Sequence, residues 1–472
     1  MRHSDGRSET ISSVLTTEFG QLMAKDPAAF LRKFRKMAAS PFAFYRGTAC
    51  LFYADMVGEF ASATFLDERT SRVWIHGDLH AENFGTYMNS SGALVFNVND
   101  FDEAYVGPFL WDLKRFAASV ALIGYAKALS DRVIGDLVAR FANAYLGELR
   151  AVAAGGDDAI GSITLENATG RLRTVLQQSR LNTRVDLLAA QTTIDNYERR
   201  FSMGDGVYDV DAETRVRVVT AFADYLGTLP PATPQQHPGA TRIKDVVLRK
   251  GIGIGSAGLP SYNLLLEGHT QALENDVVIY MKQAQVPAVA RYIDDERVRG
   301  YFKHQGHRTV ESQRALQAHA DSWLGYTELD GIGQLVAEVS PYAADLDWGD
   351  VNDPDEIADV GGSGIQIGEP AGEKQEEAFN PNPANPSVVV RGNVVRDITD
   401  PFFAGAIEAL SVAAMSHGYN LVLGHARGRA DEALALTAVL ETRHCDAIVV
   451  LGDMQGQPRR LSDLADLVVP VV

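Results

Sequence analysis

Apolar residues recur every three to four positions from about residue 18 to 65, with Phe30, Phe34 and Met37 and then Leu51, Met56 and Phe60 in register. That spacing predicts helices. Ser40-Pro41 interrupts them, because the residue before a proline avoids the α region. VWIHGDLH, residues 73–80, reads as a strand with a loop after it, and LVFNVNDFDEA, residues 94–104, as a second strand closed by a turn. Helical periodicity returns over 109–150, 165–203 and 211–228. LPPATPQQHPGA, residues 229–240, holds four prolines and reads as a connector. From Asp245 to Ala284 short runs of Val, Ile and Leu between glycines predict β-structure, and 308–320 predicts a further helix.

The pattern changes again near residue 361. GGSGIQIGEPAGEKQEEAFNPNPANP has twelve Gly, Pro or Asn among 26 residues, with only Ile365, Ile367 and Phe379 large and apolar. Such a composition predicts a linker, drawn over 351–386. Beyond it, VVVRGNVV, NLVLGHA and DAIVVLG alternate with helical stretches near 401–417 and 431–442, followed by LVVPVV. This order predicts a small parallel βαβαβ unit over 387–472. The chain is thus expected to hold one large domain over 1–350, the linker and this smaller unit.

Charge narrows the function classes. Lys and Arg number 43 against 61 Asp and Glu, a net charge of −18. A dedicated nucleic-acid binder or a protein drawn to anionic membranes needs a basic footprint, so neither is expected. Two cysteines, Cys50 and Cys445, give no disulfide framework and fit a reducing compartment. The start MRHSDGRSET lacks a signal-peptide pattern, and no run of about 18 apolar residues appears. The expectation is a soluble, cytoplasmic protein.

Candidate chemistry is densest where His76, Asp78, His80, Glu82, Asn83, Asp100, Asp102 and Glu103 fall within 28 residues. Isolated Asp and Asn are common turn residues, but eight such groups together point to a site. One Asp can take a proton from an attacking hydroxyl while Asn83 and Asp100 offer hard oxygen ligands to Mg²⁺. His76, Asp78 and His80 alternate and could face a zinc ion together if the strand ran through them. The other histidines, among them His237, His269, His304 and His307, show no complementary ligand spacing.

A second constellation, KGIGIGSAGLPSYNLLLEG, places Gly253, Gly255 and Gly258 in a G-x-G-x-x-G pattern. A dinucleotide fold needs a helix directly after these glycines. Here Leu259-Pro260 and a strand-like SYNLLLEG follow, so the pattern predicts a hairpin able to close over phosphates. The next strand, DVVIYMKQA, carries Lys282 as a phosphate-contacting cation. Glu311, in the helical TVESQRAL, is the candidate partner that orients it.

HGDLHAEN resembles the catalytic loop of protein-kinase-like and aminoglycoside-phosphotransferase-like enzymes, with Asp78 matching the catalytic Asp and Asn83 a metal ligand. NDFDEA resembles their metal-binding segment, with Asp100 as the acid. Asp112 in GPFLWDLKR resembles the Asp that braces the catalytic loop. SPFAFYRGTA, GDLHAENFG, NDFDEA, GPFLWDLKR, the GIGSAG hairpin and QLVAEVSPYAADLDW together resemble, in order, the bacterial family called domain of unknown function 2252, over roughly 18–350. The resemblance implies an α+β protein-kinase-like fold in circularly permuted order, since the catalytic loop precedes the glycine hairpin and Lys282. QLVAEVSP would be the hinge that meets the adenine. The tail, from NVVRDITDPFF onward, is similar to the first half of the effector-binding domain of lactose-repressor-type regulators, where Asp400 and Phe402 would line a sugar cleft.

These readings together predict an ATP- and Mg²⁺-dependent phosphotransferase. Asp78 is the base, Asn83 and Asp100 hold the metal, Lys282 contacts phosphates, Glu311 orients Lys282, and Gly253, Gly255 and Gly258 cover the triphosphate. The expected partners are a nucleotide and an acceptor that could be a sugar, small amine, protein or lipid head group. The rival readings are a non-enzymatic effector-binding regulator fragment and a pseudokinase that binds nucleotide without transfer.

Overall fold

The computed structural model describes residues 2–58, 65–153, 162–204, 206–230, 233, 242–250, 259–317, 319–351 and 353–363, and in the tail 389–395, 419–425 and 447–451. The chain divides into two compact units, Met1–Lys374 and Gln375–Val472. No helix among the described residues is long and apolar enough to cross a membrane.

Four helices open the first unit: α1 (Arg2–Lys25), α2 (Pro27–Met37), α3 (Pro41–Gly47) and α4 (Ala49–Val57). The breaks follow local chemistry. Asp26 caps α2 by accepting from the Ala29 amide, Ser40 caps α3 through the Ala43 amide, and Pro27 and Pro41 occupy first-turn positions where no N–H is needed. Then come β1 (Val73–Ile75), β2 (Phe84–Met88), β3 (Leu94–Val98) and β4 (Tyr105–Gly107), followed by α5 (Phe109–Ala126) and α6 (Asp131–Ala153). Among the described residues strand β1 pairs only with β4, while β2 and β3 form an antiparallel sheet with β5 (Ile163–Thr164). Phe84, Phe96, Phe116, Val120, Phe141 and Leu176 bury the core of this helical half.

The stretch 165–203, expected to be helical throughout, contains α7 (Gly170–Ser179) and α8 (Arg184–Gln191) and then turns into a hairpin, β6 (Thr192–Asp195) and β7 (Glu198–Phe201). Asn196 and Tyr197 at its tip both have positive φ, 49° and 64°. Two left-handed residues make the turn that matches strand twist. The β-branched Thr192, Thr193 and Ile194 favour the extended form.

The other half is an antiparallel sheet built from β8 (Val207–Asp209), β9 (Ile243–Arg249), β10 (Ser261–Leu266), β11 (Val277–Gln283), β12 (Gly325–Leu329) and β13 (Ile332–Glu338). Their order is β12-β13-β11-β10-β9-β8. Helix α9 (Ala212–Leu226) covers one face, where Val277, Ile279 and Met281 pack with Phe222 and Tyr225. Alternation sends Val278, Tyr280 and Lys282 to the opposite face. A short helix α10 (Glu296–Tyr301) precedes α11 (Gln305–Leu316), whose Val310 packs with Leu335, Ala337 and Tyr280 on that opposite face. QLVAEVSP therefore continues from an interior strand, β13, toward Tyr342 and the Gly85–Asp345 bridge.

Part of the segment expected to be a linker is helical. Helix α12 (Pro354–Ser363) falls within 351–386, and its Ile357 and Val360 are buried in the core with α6 and α7. The glycine-rich composition starts inside this helix, and apolar burial outweighs the propensity cost of Gly361 and Gly362. In the second unit, β14 (Val389–Val395) pairs in parallel with β15 (Tyr419–His425) and β16 (Ala447–Leu451). The helices expected between these strands, and Asp400 and Phe402, lie outside the described residues. So do Gly253, Gly255 and Gly258.

Candidate active site

The loop His76–Asn83 leaves β1 and returns as β2, and helix α5 fixes it from one face. Asp112, Arg115 and Ser119 stand at i, i+3 and i+7 on that helix, a single helical stripe. Asp112 accepts from the backbone N–H groups of His76, at 2.6 Å, and Gly77, at 3.0 Å. Arg115 donates to Asp78 through Nε at 2.7 Å and again through Nη2. Ser119 Oγ accepts from the Ala81 amide at 3.1 Å. The Tyr53 hydroxyl donates to the Gly77 carbonyl, and Trp348 Nε1 donates to that of Ala81 at 2.8 Å. Gly77 has φ +79°, and a Cβ there would stand 2.0 Å from the Glu103 carbonyl oxygen. Only glycine satisfies both the left-handed turn and that approach.

Asp78 is held by one oxygen, Oδ1, which Arg115 occupies. Burial pushes its carboxyl above the ordinary value, against the pull of Arg115. Its other oxygen lies 3.7 Å from His80 Nε2, too long for a hydrogen bond. Burial, with Arg115 and Arg46 nearby, drives the His80 imidazole down to about 2, so it is neutral and forms no ion pair. His76 is likewise neutral: burial lowers its pKa, its Nδ1 accepts from the Asp78 amide, and its Nε2 donates to the Asn99 carbonyl at 2.7 Å. The strand ends at Ile75, so the HxDxH residues do not alternate along one strand: His76 is held by local backbone and Asp78 by Arg115, while neither ring nitrogen of buried His80 has a hydrogen-bond partner among the described residues.

The acidic turn after β3 is stitched to this loop. The Asn99 amide donates to the Asn83 carbonyl at 3.1 Å. Asn83 is buried, and its side-chain amide donates to the Asp78 carbonyl at 2.9 Å, leaving its Oδ1 as the atom open to a cation. Asp100 adopts the left-handed conformation, φ 57°, and lines a cavity of about 230 Å³ together with Asp78, Glu82, Asp102 and Glu103. The protein packed around its carboxyl, with the Asp102 carboxylate beside it, pushes Asp100 up to about 6, although the side chain opens into the cavity. Among the described residues no group of three or more His, Cys, Asp or Glu is arranged as a complete metal cage. A magnesium ion shared with phosphates needs only one or two carboxylates from the protein; Asp100 lines the cavity and fits that role, whereas Asn83 is buried and is not among the lining residues.

Lys282 reaches this cluster from the sheet. Its ammonium donates to Asp102, 180 positions away in sequence. Burial works against its charge, yet Asp102 and Asp100 hold its pKa above the ordinary value. The expected partner is corrected here. Glu311 pairs with Arg314 at 3.1 Å, one helical turn on, and Arg314 also donates to the Thr228 and Leu324 carbonyls. That arrangement turns Glu311 toward β12, and Asp102 takes the partner role.

Arg115 and Arg308 are the residues the sequence reasoning missed. Arg308 is fully buried on α11 and donates to the Ala104 carbonyl, to that of Asp102 at 2.9 Å and to that of Gln285 at 2.9 Å. It joins the acidic turn to the end of β11. Arg115 stood inside GPFLWDLKR, three residues after Asp112, and the helical repeat carried the signal. Arg46 donates to Glu82 at the rim of the cavity.

Comparison with known families bears on the same residues. The model of a family described as an uncharacterized protein conserved in bacteria, DUF2252, matches residues 25–363. The chain belongs to this family. No curated protein matches it, and no solved structure does. The DUF2252 match spans the loop His76–Asn83, the acidic turn, Lys282 and α12, and it contains every cavity-lining residue except Glu18, Phe19 and Leu22 of α1.

Proposed function

We propose that this DUF2252 protein is an ATP- and Mg²⁺-dependent phosphotransferase acting on a small acceptor. The observation that carries the reading is the approach of Lys282 to Asp102 beside Asp100 and Asp78, from segments 180 positions apart. A lysine paired with Asp102 beside Asp78 and Asp100, three acids that line one cavity, suits the positioning of a triphosphate against a hydroxyl.

In this reading Asp78 accepts the proton of the acceptor hydroxyl through the oxygen that Arg115 leaves free. Arg115 keeps that carboxylate oriented, and Asp112 keeps the loop beneath it in register. Asn83 and Asp100 would hold Mg²⁺, which when bound supplies positive charge to the phosphate oxygens. Lys282, kept at the cleft by Asp102, binds phosphate oxygens as a compact cation. The glycine loop 253–258 is assigned to the phosphates on its sequence alone. The rate gain comes from orientation and charge neutralisation.

Thermal shift with ATP alone and with Mg²⁺ tests this. Saturating Mg²⁺ and ATP should stabilise the protein by about 2–4 kcal/mol, and Asp100→Asn should lose the Mg²⁺-dependent part. No nucleotide-dependent shift in the wild type would remove the phosphotransferase reading.

A further inference from the structure

The cavity in front of Asp78 has two walls of opposite character. The acidic turn and catalytic loop supply Asp78, Asp100, Asp102 and Glu103, whereas the N-terminal helices supply Lys33 from α2 and Arg46 from α3. Four other cations near this site each have a carboxylate partner. Arg115 has Asp78, Lys282 has Asp102, Arg291 has Glu18 at 2.8 Å, and Arg46 has Glu82.

Lys33 breaks that pattern. It is only 7% exposed, it lines the cavity, and among the described residues no carboxylate stands within ion-pair distance of its Nζ. Its ammonium instead lies over the Phe19 ring, 4.2 Å from the centroid, and 5.7 Å from that of Phe30. Ring faces attract a cation but do not neutralise it. A buried charge ordinarily finds a counter-charge. Glu18 is already engaged by Arg291, and Glu103 accepts from the Ala288 amide at 2.6 Å.

We propose that the cavity recognises its acceptor through an anionic group, a carboxylate or a phosphate, which pairs with Lys33 while the acceptor hydroxyl faces Asp78. This rests on the phosphotransferase reading and deepens it by naming the acceptor class. The lowered pKa of Lys33, caused by burial, shows an ammonium that an arriving anion would stabilise. The same cation disfavours an amine as acceptor. At about 230 Å³ the cavity holds a small molecule rather than a protein segment.

Three probes of one carbon skeleton separate the possibilities: glycerol 3-phosphate, glycerate and glycerol, titrated calorimetrically into the full chain. At least one anionic probe should bind about tenfold or more tightly than glycerol, a difference of about 1.4 kcal/mol. Which of the two binds identifies the anion. Lys33→Met keeps an unbranched apolar stem against the two rings and should abolish the preference, while Lys33→Arg should retain part of it. The thermal shift with Mg²⁺ and ATP should be the same in Lys33→Met as in the wild type. Equal binding of all three probes, or a preference that survives in Lys33→Met, would overturn the proposal. A nucleotide shift lost in Lys33→Met would also overturn it, by assigning Lys33 to the triphosphate. Absence of any nucleotide shift in the wild type removes the phosphotransferase reading instead, and the probe preference is read independently of it.

Discussion

Arg115 Nε stands 2.7 Å from Asp78 Oδ1, and neither residue's neighbour in sequence takes part in the pair. The guanidinium is completely buried, packed over the Tyr45 ring at 4.6 Å and the Phe52 ring at 5.2 Å. The candidate base is thereby aimed by a residue that has no access to substrate.

Arg115→Met removes one partner of a buried ion pair and leaves the Asp78 carboxylate without its donor. Such losses cost about 3–5 kcal/mol. Urea unfolding of the variant should show a midpoint lowered accordingly, and a midpoint equal to the wild type would mean the pair carries no stability.

Gly77→Ala should be more damaging than its size suggests. The residue needs φ +79°, and the new methyl would press on the Glu103 carbonyl. A left-handed residue alone costs about 1–2 kcal/mol, so the total should exceed about 2 kcal/mol. Thermal denaturation checks this directly.

Glu103 gives a pH signature. Burial, with Asp78 nearby, pushes its carboxyl up to about 7. The native state therefore binds a proton that the unfolded chain, with an ordinary Glu value of about 4.3, has already released at intermediate pH. The penalty is absent below that ordinary value and grows as pH rises through it toward 7. Glu103→Gln keeps an acceptor for the Ala288 amide, so relative to the wild type it should gain stability from about pH 4.5 to 7 and then level off. Denaturant midpoints at a series of pH values test it, and a pH-independent difference would refute it.

Tyr197 is exposed at the hairpin tip in the left-handed region. Tyr197→Gly completes an Asn-Gly turn and should stabilise the protein by about 1 kcal/mol. A loss of stability would show that the ring contributes contacts worth more than the strain.

Much of the site could be read from one strand of text. The spacing from His76 to Glu103 located the loop and the acidic turn, and the family resemblance matched Asp112 to the loop it braces. Lys282 stands out as a lysine inside an apolar strand that follows the glycine pattern. What the residues did not reveal were choices among equivalent partners. Glu311 and Asp102 are both acids within plausible reach of a lysine, and only the position of α11 across the sheet decides between them. The hairpin over 192–201 was hidden because short amphipathic runs fit both periods, and the two left-handed residues that set it carry no glycine. Helix α12 was masked by glycines whose cost its buried Ile357 and Val360 overcome.

Arg308 donates to three main-chain oxygens and to the Gln305 side chain, which gives its helix a mechanical function. Carbonyls of Asp102 and Ala104 belong to the turn that carries Asp102, and the Gln285 carbonyl follows the strand that carries Lys282. The planar guanidinium acts as a rivet through both layers. A sliding of α11 along the sheet must translate the acid and the lysine as one body, so their separation is insulated from that motion while their distance to Asp78, anchored on α5, is the quantity that changes.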